Sequence, residues 1–400
     1  MEKYDFIIIG GSVSGAPTAM LLARYGYRVL LIEKAIFPRD TNSTHFIWPR
    51  GVSYLNRWGL AQDILKSTPH YTNLELNIEG ISLKGCIPLE YIQNRFFDLH
   101  GEHDSVLNTY CGPRRYFLDH YLLEAAKKSG VHVREGLSYK EPVIENDCVV
   151  GVRAEYADGR TYSAKTDLVI AADGRFSKFA RDVNADYYDY RELSTFAYYG
   201  YYSGIKHEEL AIHKKGNYGT AIFPTQNDTH MVLVYGPTAL WDMFKENAEK
   251  NFYNIFSFCA PEIGELVKSG QRTENFKACG KMQAFQRKTY GKGWVLVGDA
   301  GSFKDQVTAM GITHAFRDAE LLSGYLYRGL LNGNQMNEIL AGYEGIRKGD
   351  YVKYFNLVCK TAEMNAYSRE DLHYYNSIKN NQNMINKLIA QFGDTLPLDQ

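Results

Sequence analysis

The stretch Phe6-Ile7-Ile8-Ile9-Gly10-Gly11-Ser12-Val13-Ser14-Gly15, followed by residues 16–25 and then by Tyr27-Arg28-Val29-Leu30-Leu31-Ile32-Glu33, decides how this chain is read. Four apolar residues in a row predict a short, fully buried strand. The glycine-rich turn opens a helix over 16–25, with Pro17 in the first turn, where a missing N–H is tolerated. Gly26 ends that helix, and residues 27–32 predict a second buried strand closing on Glu33. Strand, turn, helix and strand make a βαβ unit with a dinucleotide-binding fingerprint. Gly10 serves the tight turn, the helix amino end faces a pyrophosphate, and Gly15 lets helix and strand pack closely. Glu33 lies 23 positions after Gly10, near the spacing of about 20 expected for an acid on a ribose hydroxyl. One position departs from G-x-G-x-x-G. The middle glycine is Ser12, whose side chain can crowd a phosphate or hydrogen-bond it. Ser14 in the turn and Lys34 beside Glu33 join the candidate nucleotide-binding residues. A glycine-rich turn without a ligand is the alternative.

The rest of the composition bounds the class. The chain has 400 residues, 45% hydrophobic and 23% charged, with 45 basic against 46 acidic side chains. That length predicts two domains, or one with a large insertion. The charge balance gives no overall field to hold nucleic acid or an anionic membrane, and the apolar content is too high for a disordered chain. The six cysteines include no C-x-x-C pair, as expected of scattered thiols in a reducing compartment. Met1 to Asp5 leads straight into the first strand with no signal-peptide pattern, and no run approaches the roughly 18 apolar residues of a membrane span. A cytoplasmic protein is expected. Neither H-E-x-x-H nor a P-loop occurs, so no metal site is expected. Tyrosine is abundant, with 31 against 20 Phe and 4 Trp.

A lone βαβ fingerprint would suit an NAD-dependent dehydrogenase, but two distant segments argue otherwise. Residues 167–177 (DLVIAADGRFS) read as a buried strand ending in Asp173-Gly174, and residues 293–300 (GWVLVGDA) as another ending in Gly298-Asp299. The three motifs in this order resemble the FAD-dependent monooxygenases of the p-hydroxybenzoate hydroxylase class, whose fold is shared by geranylgeranyl reductases and flavin-dependent halogenases. The resemblance covers about the first 330 residues. It implies an α/β fold: a Rossmann-like FAD-binding domain with an inserted antiparallel-sheet substrate domain and a helical C-terminal tail. The FAD-binding domain would comprise residues 1–75, 100–182 and 284–330, the substrate domain 76–99 and 183–283, and the helical segment 331–400.

The same resemblance assigns roles. FAD is long, so its adenosine half uses the first βαβ unit and its ribitol needs a second anchor. Asp299, at the carboxyl end of its strand, is placed to accept from sugar hydroxyls. The helix that begins near Met310-Gly311-Ile312 would point its amino end at the flavin, where the dipole stabilises negative charge. Asp173 and Gly174 resemble the pair that shapes the FAD site and the nicotinamide approach. Arg115, rather than Arg114, resembles the arginine that touches the cofactor, and Arg39 resembles a phosphate-facing arginine. A solvated surface arginine is the alternative for both.

Residues 194–203, 218–224 and 230–235 predict antiparallel strands. Tyr187, Tyr188, Tyr190, Tyr198, Tyr199, Tyr201 and Tyr202 crowd the first part of this region, either as packing with the hydroxyl reaching water or as an aromatic substrate pocket. His45 in Ser43-Thr44-His45-Phe46 is the candidate catalytic side chain, able to move a proton, although the flavin carries the chemistry. A structural histidine is its alternative. Residues 384–392 are amphipathic and Pro397 marks a loose end, so the tail reads as a packing appendage or a lid.

Four reactions share the fold. In a monooxygenase, NAD(P)H reduces FAD and one atom of oxygen reaches a small-molecule substrate, here an aromatic or polyketide-like one as in natural-product biosynthesis. A flavin-dependent halogenase would show W-x-W-x-I-P, which is absent, and residues 303–311 only partly match its F-x-x-P-x-x-S-x-G, with Gln306 and Ala309 in the proline and serine places. A carbon–carbon double-bond reductase of the geranylgeranyl type is echoed at Tyr218 and Phe223-Pro224. A non-catalytic flavin-binding protein is the fourth reading, kept open by Gln306. The sequence leaves oligomeric state open.

Overall fold

The computed structural model describes residues 1–95, 106–192, 194–280 and 282–396. Strand β1 (Glu2–Ile9) begins before the apolar run, because Glu2, Lys3 and Tyr4 pair with residues 164–166, a partnership no local pattern reveals. Helix α1 (Gly15–Arg24) and strand β2 (Val29–Glu33) follow as the fingerprint requires. Helix α2 (Arg115–Lys128) leads to strand β3 (His132–Glu135), and strand β4 (Thr161–Ala171) lies on the other side of β1. With strand Trp294–Leu296 the order is 294–296, β4, β1, β2, β3, all parallel. Both faces are covered, which is why these strands read as continuous apolar runs. Ala16, Ala19, Met20 and Leu22 of α1 pack with Phe6, Ile8 and Leu31 in one core cluster; each large side chain so buried contributes about 1.5–3 kcal/mol.

The carboxyl ends of these strands deliver Gly10, Glu33, Asp173 and Gly298 to one edge of the sheet, where open α/β sheets bind ligands. The hairpin of Leu137–Glu145 and Cys148–Tyr156 extends β4 antiparallel. Helix α3 (Gly311–Leu331) starts where the sequence placed it.

Above that edge sits a second sheet built on β5 (Thr195–Ser203), β6 (Ala211–Lys215), β7 (Tyr218–Thr225) and β8 (Thr229–Pro237), in the order β5, β8, β7, β6. Strand Leu74–Ile78 joins β6 in parallel, so the expected division at residue 75 falls inside a strand of this sheet. The expected division at 99/100 lies outside the described residues. The alternation of a strand splits the β5 tyrosines. Tyr198 and Tyr202 pack against Phe244, Phe252 and Phe276 on the outer face, whereas Tyr199 and Tyr201 face the parallel sheet. Tyr187, Tyr188 and Tyr190 are exposed on strand Tyr187–Arg191, which pairs with Ala284–Arg287 in a separate small sheet. Packing, not a pocket, therefore accounts for most of that run.

Among the described residues three helices follow α3: α4 (Met336–Ala362), α5 (Arg369–Ile378) and α6 (Gln382–Phe392). The apolar stripe of α6 buries Ile385, Leu388, Ile389 and Ala390. Beyond it, buried Asp394 takes Arg50 at 3.2 Å, Arg95 at 3.3 Å and His314 at 3.0 Å. Asp394 thus ties the segment after α6 to Arg50, to α3 through His314 and to Arg95. Pro397 lies outside the described residues. Among the described residues no helix is long and apolar enough to cross a membrane, and no group of His, Cys, Asp and Glu could hold a metal ion.

Candidate functional site

A cavity of about 650 Å³ opens at the carboxyl edge of the parallel sheet. Gly10, Ser12 and Ser14 line it from the first turn, and Glu33, Lys34 and Arg39 from the segment after β2. Arg115 comes from α2, Asp173 and Gly174 follow β4, and Gly298 and Asp299 follow strand Trp294–Leu296. Met310, Gly311 and Ile312 supply the amino end of α3, and His45 a wall. Gly15 is the one candidate outside the lining, and its role is contact. A methyl there would overlap the carbonyl oxygen of Gly10 and lie 3.1 Å from the Ala172 methyl. Gly10 itself holds φ +100°, a region glycine enters freely.

Ser12 is explained by what it touches. Its hydroxyl accepts from Arg115 Nη2 at 2.6 Å and donates to Asp119 Oδ2 at 2.9 Å. Asp119, one helical turn beyond Arg115, also takes Arg115 Nε at 2.9 Å and Nη2 at 2.8 Å. The serine and the buried carboxylate thus aim a fixed guanidinium at the cavity. Asp119 was not singled out in the sequence, although the i, i+4 spacing from Arg115 was available as a signal. Arg114 faces elsewhere: it pairs with Glu274 at 2.8 Å and Asp40 at 3.0 Å and lies 3.6 Å from the Tyr201 ring centroid.

Glu33 accepts from the Gly11 amide at 2.7 Å and the Ala35 amide at 2.8 Å, which leaves each oxygen a further lone pair. Lys34 and Arg39 are exposed. Asp173 Oδ2 accepts from Phe179 N at 3.2 Å, while the buried Oδ1 has no hydrogen-bond partner among the described residues. Burial pushes the Asp173 carboxyl up. Burial also raises Asp299, to about 6, against the pull of Lys304, Arg115 and Arg175. Lys304, a further lining residue that the sequence reading left out, is pushed down to about 7 by its own burial despite Asp318.

The site fits a dinucleotide. An amino end of α1 without acidic residues or a side-chain cap faces the cavity, and the orphan Asp173 oxygen is an acceptor in search of a donor. The amino end of α3, also free of acidic residues in its first turn, supplies a second positive pole.

His45 sits in the left-handed region at φ 44°, 1% exposed, between the rings of Tyr201 and Phe223. Its ring nitrogens are buried beside the Gly112 backbone, and burial with the nearby Arg114 charge pushes its pKa down to about 3. Burial and the nearby Lys304 charge likewise hold His314 at about 3, against the pull of its Asp394 partner. An unfolded histidine titrates near 6.5, so between about pH 6.5 and 3 the unfolded chain binds more protons and stability falls as pH falls. The melting temperature is expected to drop by several degrees between pH 7 and 4.5, and a His45→Asn/His314→Asn double variant to flatten that profile. An unchanged slope in the variant would remove these histidines from the account.

A second cavity of about 380 Å³ adjoins the first. The inner sheet face supplies Leu74, Leu76, Leu210, Ile212 and Leu233, the tail supplies Leu357, Met364, Ile389 and Phe392, and Phe46, Trp48 and Phe223 close the inner end. Thr44, Phe46, Gln306 and Ala309 line both cavities. None of the seven singled-out tyrosines lines this second cavity, and only Tyr199 reaches the first.

Comparisons with known proteins agree with this geometry. The family model described as the FAD binding domain matches residues 3–350. A tryptophan 2-halogenase of Chondromyces crocatus is 23% identical over 384 residues, which is 92% of this chain and 69% of that protein. The flavin-dependent brominase Bmp2 superposes with TM-score 0.81 at 18% identity over 98% of this chain and 94% of its own. PqsL of Pseudomonas aeruginosa, described as a probable FAD-dependent monooxygenase, superposes with TM-score 0.71 at 18% identity over 98% and 100%.

Proposed function

The chain belongs to the FAD binding domain family, and from that premise we propose that this FAD-dependent oxidoreductase is a monooxygenase. It takes electrons from NAD(P)H and inserts oxygen into an aromatic or polyketide-like small molecule. The observation that carries the reading is the shared wall: Thr44, Phe46, Gln306 and Ala309 bound both cavities, so a substrate in the smaller one abuts the cofactor in the larger. The parallel-sheet half with α3 holds FAD, and the sheet built on β5 to β8 with strand Leu74–Ile78 covers the substrate, with α4 and α6 completing its pocket.

Bound FAD supplies the redox chemistry; the chain binds, orients and shields. Gly10, Ser14 and the amino end of α1 receive the pyrophosphate, with Arg115 and the exposed Lys34 and Arg39 as counter-charges. Glu33 accepts from the adenosine ribose and Asp299 from the ribitol. Asp173 and Gly174 form the rim past which the nicotinamide approaches. The amino end of α3, at Met310-Gly311-Ile312, stabilises negative charge, and Gly298 keeps the turn before Asp299 tight at φ +59°. His45, neutral at pH 7, holds or passes a proton at a ring nitrogen. The apolar walls exclude water from the smaller cavity.

Replacing Arg115 with alanine is expected to weaken FAD binding at least tenfold by fluorescence titration, since a charge-assisted contact is lost. Ser12→Gly restores the standard fingerprint but frees the guanidinium. It should cost about 1 kcal/mol in urea unfolding and leave FAD affinity within about threefold.

The test is direct. Purified protein should be yellow or take up FAD, and NAD(P)H oxidation should require oxygen and quicken with a phenolic or polyketide substrate. Protein that cannot be loaded with FAD overturns the reading. A second reading, flavin-dependent halogenase, draws on the similarity to the brominase and the tryptophan 2-halogenase. Product formation that needs bromide or chloride and a separate reductase would select it.

A further inference from the structure

Gln306 stands at the junction of the two cavities, and its environment sets it apart. It opens a short turn (Gln306–Thr308) immediately before the left-handed Ala309, at φ 52°, and the start of α3. That turn is pinned. The carboxylate of buried Asp305 accepts from Val307 N at 2.8 Å, Thr195 N at 2.7 Å and Thr195 Oγ1 at 2.7 Å, so the turn is tied to the first strand of the upper sheet. On the other side Trp48 Nε1 donates to the Thr308 carbonyl at 3.0 Å. The carboxamide is therefore held on a rigid support, while its Nε2 is buried with no hydrogen-bond partner among the described residues. A buried amide donor left unpaired is costly, and natural structures leave few of them.

Around it, the inner end of the smaller cavity is mostly apolar, with Phe46, Phe223, Val307 and Ala309; Thr44 and Thr308 bring the only hydroxyls among the described residues at this end, and the Trp48 indole N–H is already engaged. The charged residues of the lining are elsewhere or occupied. Lys360, Glu363 and Asp371 are exposed at the mouth, and Lys214 donates to the carbonyls of Gly216 and Asn365. A carboxamide on a rigid mount, in the wall of a mostly apolar end and with its donor unpaired, calls for an acceptor on the ligand.

We propose that Gln306 determines substrate specificity by donating a hydrogen bond to an acceptor oxygen, such as a ketone carbonyl, at the inner end of an otherwise apolar molecule. This rests on the reading of the two cavities as cofactor and substrate sites. It narrows the substrate class to compounds whose oxygenated end enters first and lies against the cofactor, with the hydrocarbon portion between the upper sheet and the tail helices. A ligand lacking that oxygen leaves the amide unpaired, and a site built for a polar group rejects such analogues.

The probes are 2-acetylnaphthalene and 2-ethylnaphthalene, which share shape and differ in one carbonyl, titrated into FAD-loaded protein and followed by the flavin absorbance. The wild type should bind the ketone about tenfold more tightly. In Gln306→Leu the preference should collapse to within about twofold because ketone affinity falls while 2-ethylnaphthalene affinity is kept. Gln306→Glu, which offers an acceptor in place of a donor, should disfavour the ketone and favour 2-naphthol. Equal binding of the pair by the wild type, persistence of the ketone preference in Gln306→Leu, or failure of either probe to bind would overturn the assignment. A chain that takes up no FAD overturns the underlying functional reading as well, so the two failures are told apart by the colour of the protein before any probe is added.

Discussion

Gly15→Ala is expected to yield a protein that purifies without FAD and unfolds at lower denaturant. The reason is steric. The added methyl would overlap the Gly10 carbonyl oxygen, and that oxygen belongs to the turn at the end of β1, with Ala172 at 3.1 Å on the other side. Neither neighbour is the far end of a flexible side chain, so the helix must lift from the strand. Overpacking of this kind costs about 1–3 kcal/mol and occasionally more, and it displaces the amide groups that would receive the pyrophosphate. Nothing lies within 4 Å of a methyl at Gly345 of α4, where φ is not positive, so the effect at Gly15 belongs to close approach and not to glycine content. Urea unfolding and FAD fluorescence titration would check it. A variant that binds FAD within threefold of the wild type would show that the contact is slack.

Asp318→Ala should produce the other large loss. Asp318 is fully buried on α3 and meets Arg317 Nη2 at 3.3 Å and, from α4, Arg347 Nε at 3.2 Å. Burial alone would raise its carboxyl, but the guanidiniums of Arg347 and Arg317 hold it below the usual range. Removing one partner from such a buried group leaves uncompensated charge, typically a cost of 3–5 kcal/mol. The damage reaches the cofactor, because Asp318 Oδ2 also accepts from Gly298 N at 3.1 Å, and Arg347 Nη2 donates to the Gly298 carbonyl at 3.3 Å. The turn that presents Asp299 should loosen and FAD affinity fall about tenfold. A stability change under about 1 kcal/mol, or an unaltered FAD affinity, would remove the network from this role.

What could be read in advance follows a physical line. Parallel strands buried on both faces are continuous apolar runs, so residues 6–9, residues 27–32 (observed as Val29–Glu33) and the strand before Asp173 announced themselves. The glycines and acids that end them had to be where the ligand edge is, and fifteen of the sixteen candidate residues line one cavity. The support beneath them left no local trace. Asp318 and Arg347, or Arg50 and Asp394, are distant in sequence and carry no spacing rule. The smaller cavity was equally hidden, since Leu74, Leu76, Met364 and Phe392 come from separate segments that meet only after folding. The tyrosines mislead for a related reason. Alternation says that Tyr198 and Tyr199 face opposite ways, but which side meets the cofactor half is decided by the elements packed on each face. Gln306 was visible as a departure from the proline expected there, and the unpaired amide at the cavity junction gives that departure a physical meaning.

The Asp394 clamp sets the order in which the molecule can be completed. A chain emerging from the ribosome has Arg50 in place long before the carboxylate that meets it, and His314 also precedes that partner. The hydrocarbon pocket lacks one side until Ile389 and Phe392 have been made. Assembly of the nucleotide half can begin early in synthesis, but locking it to the tail waits until Asp394 has been made.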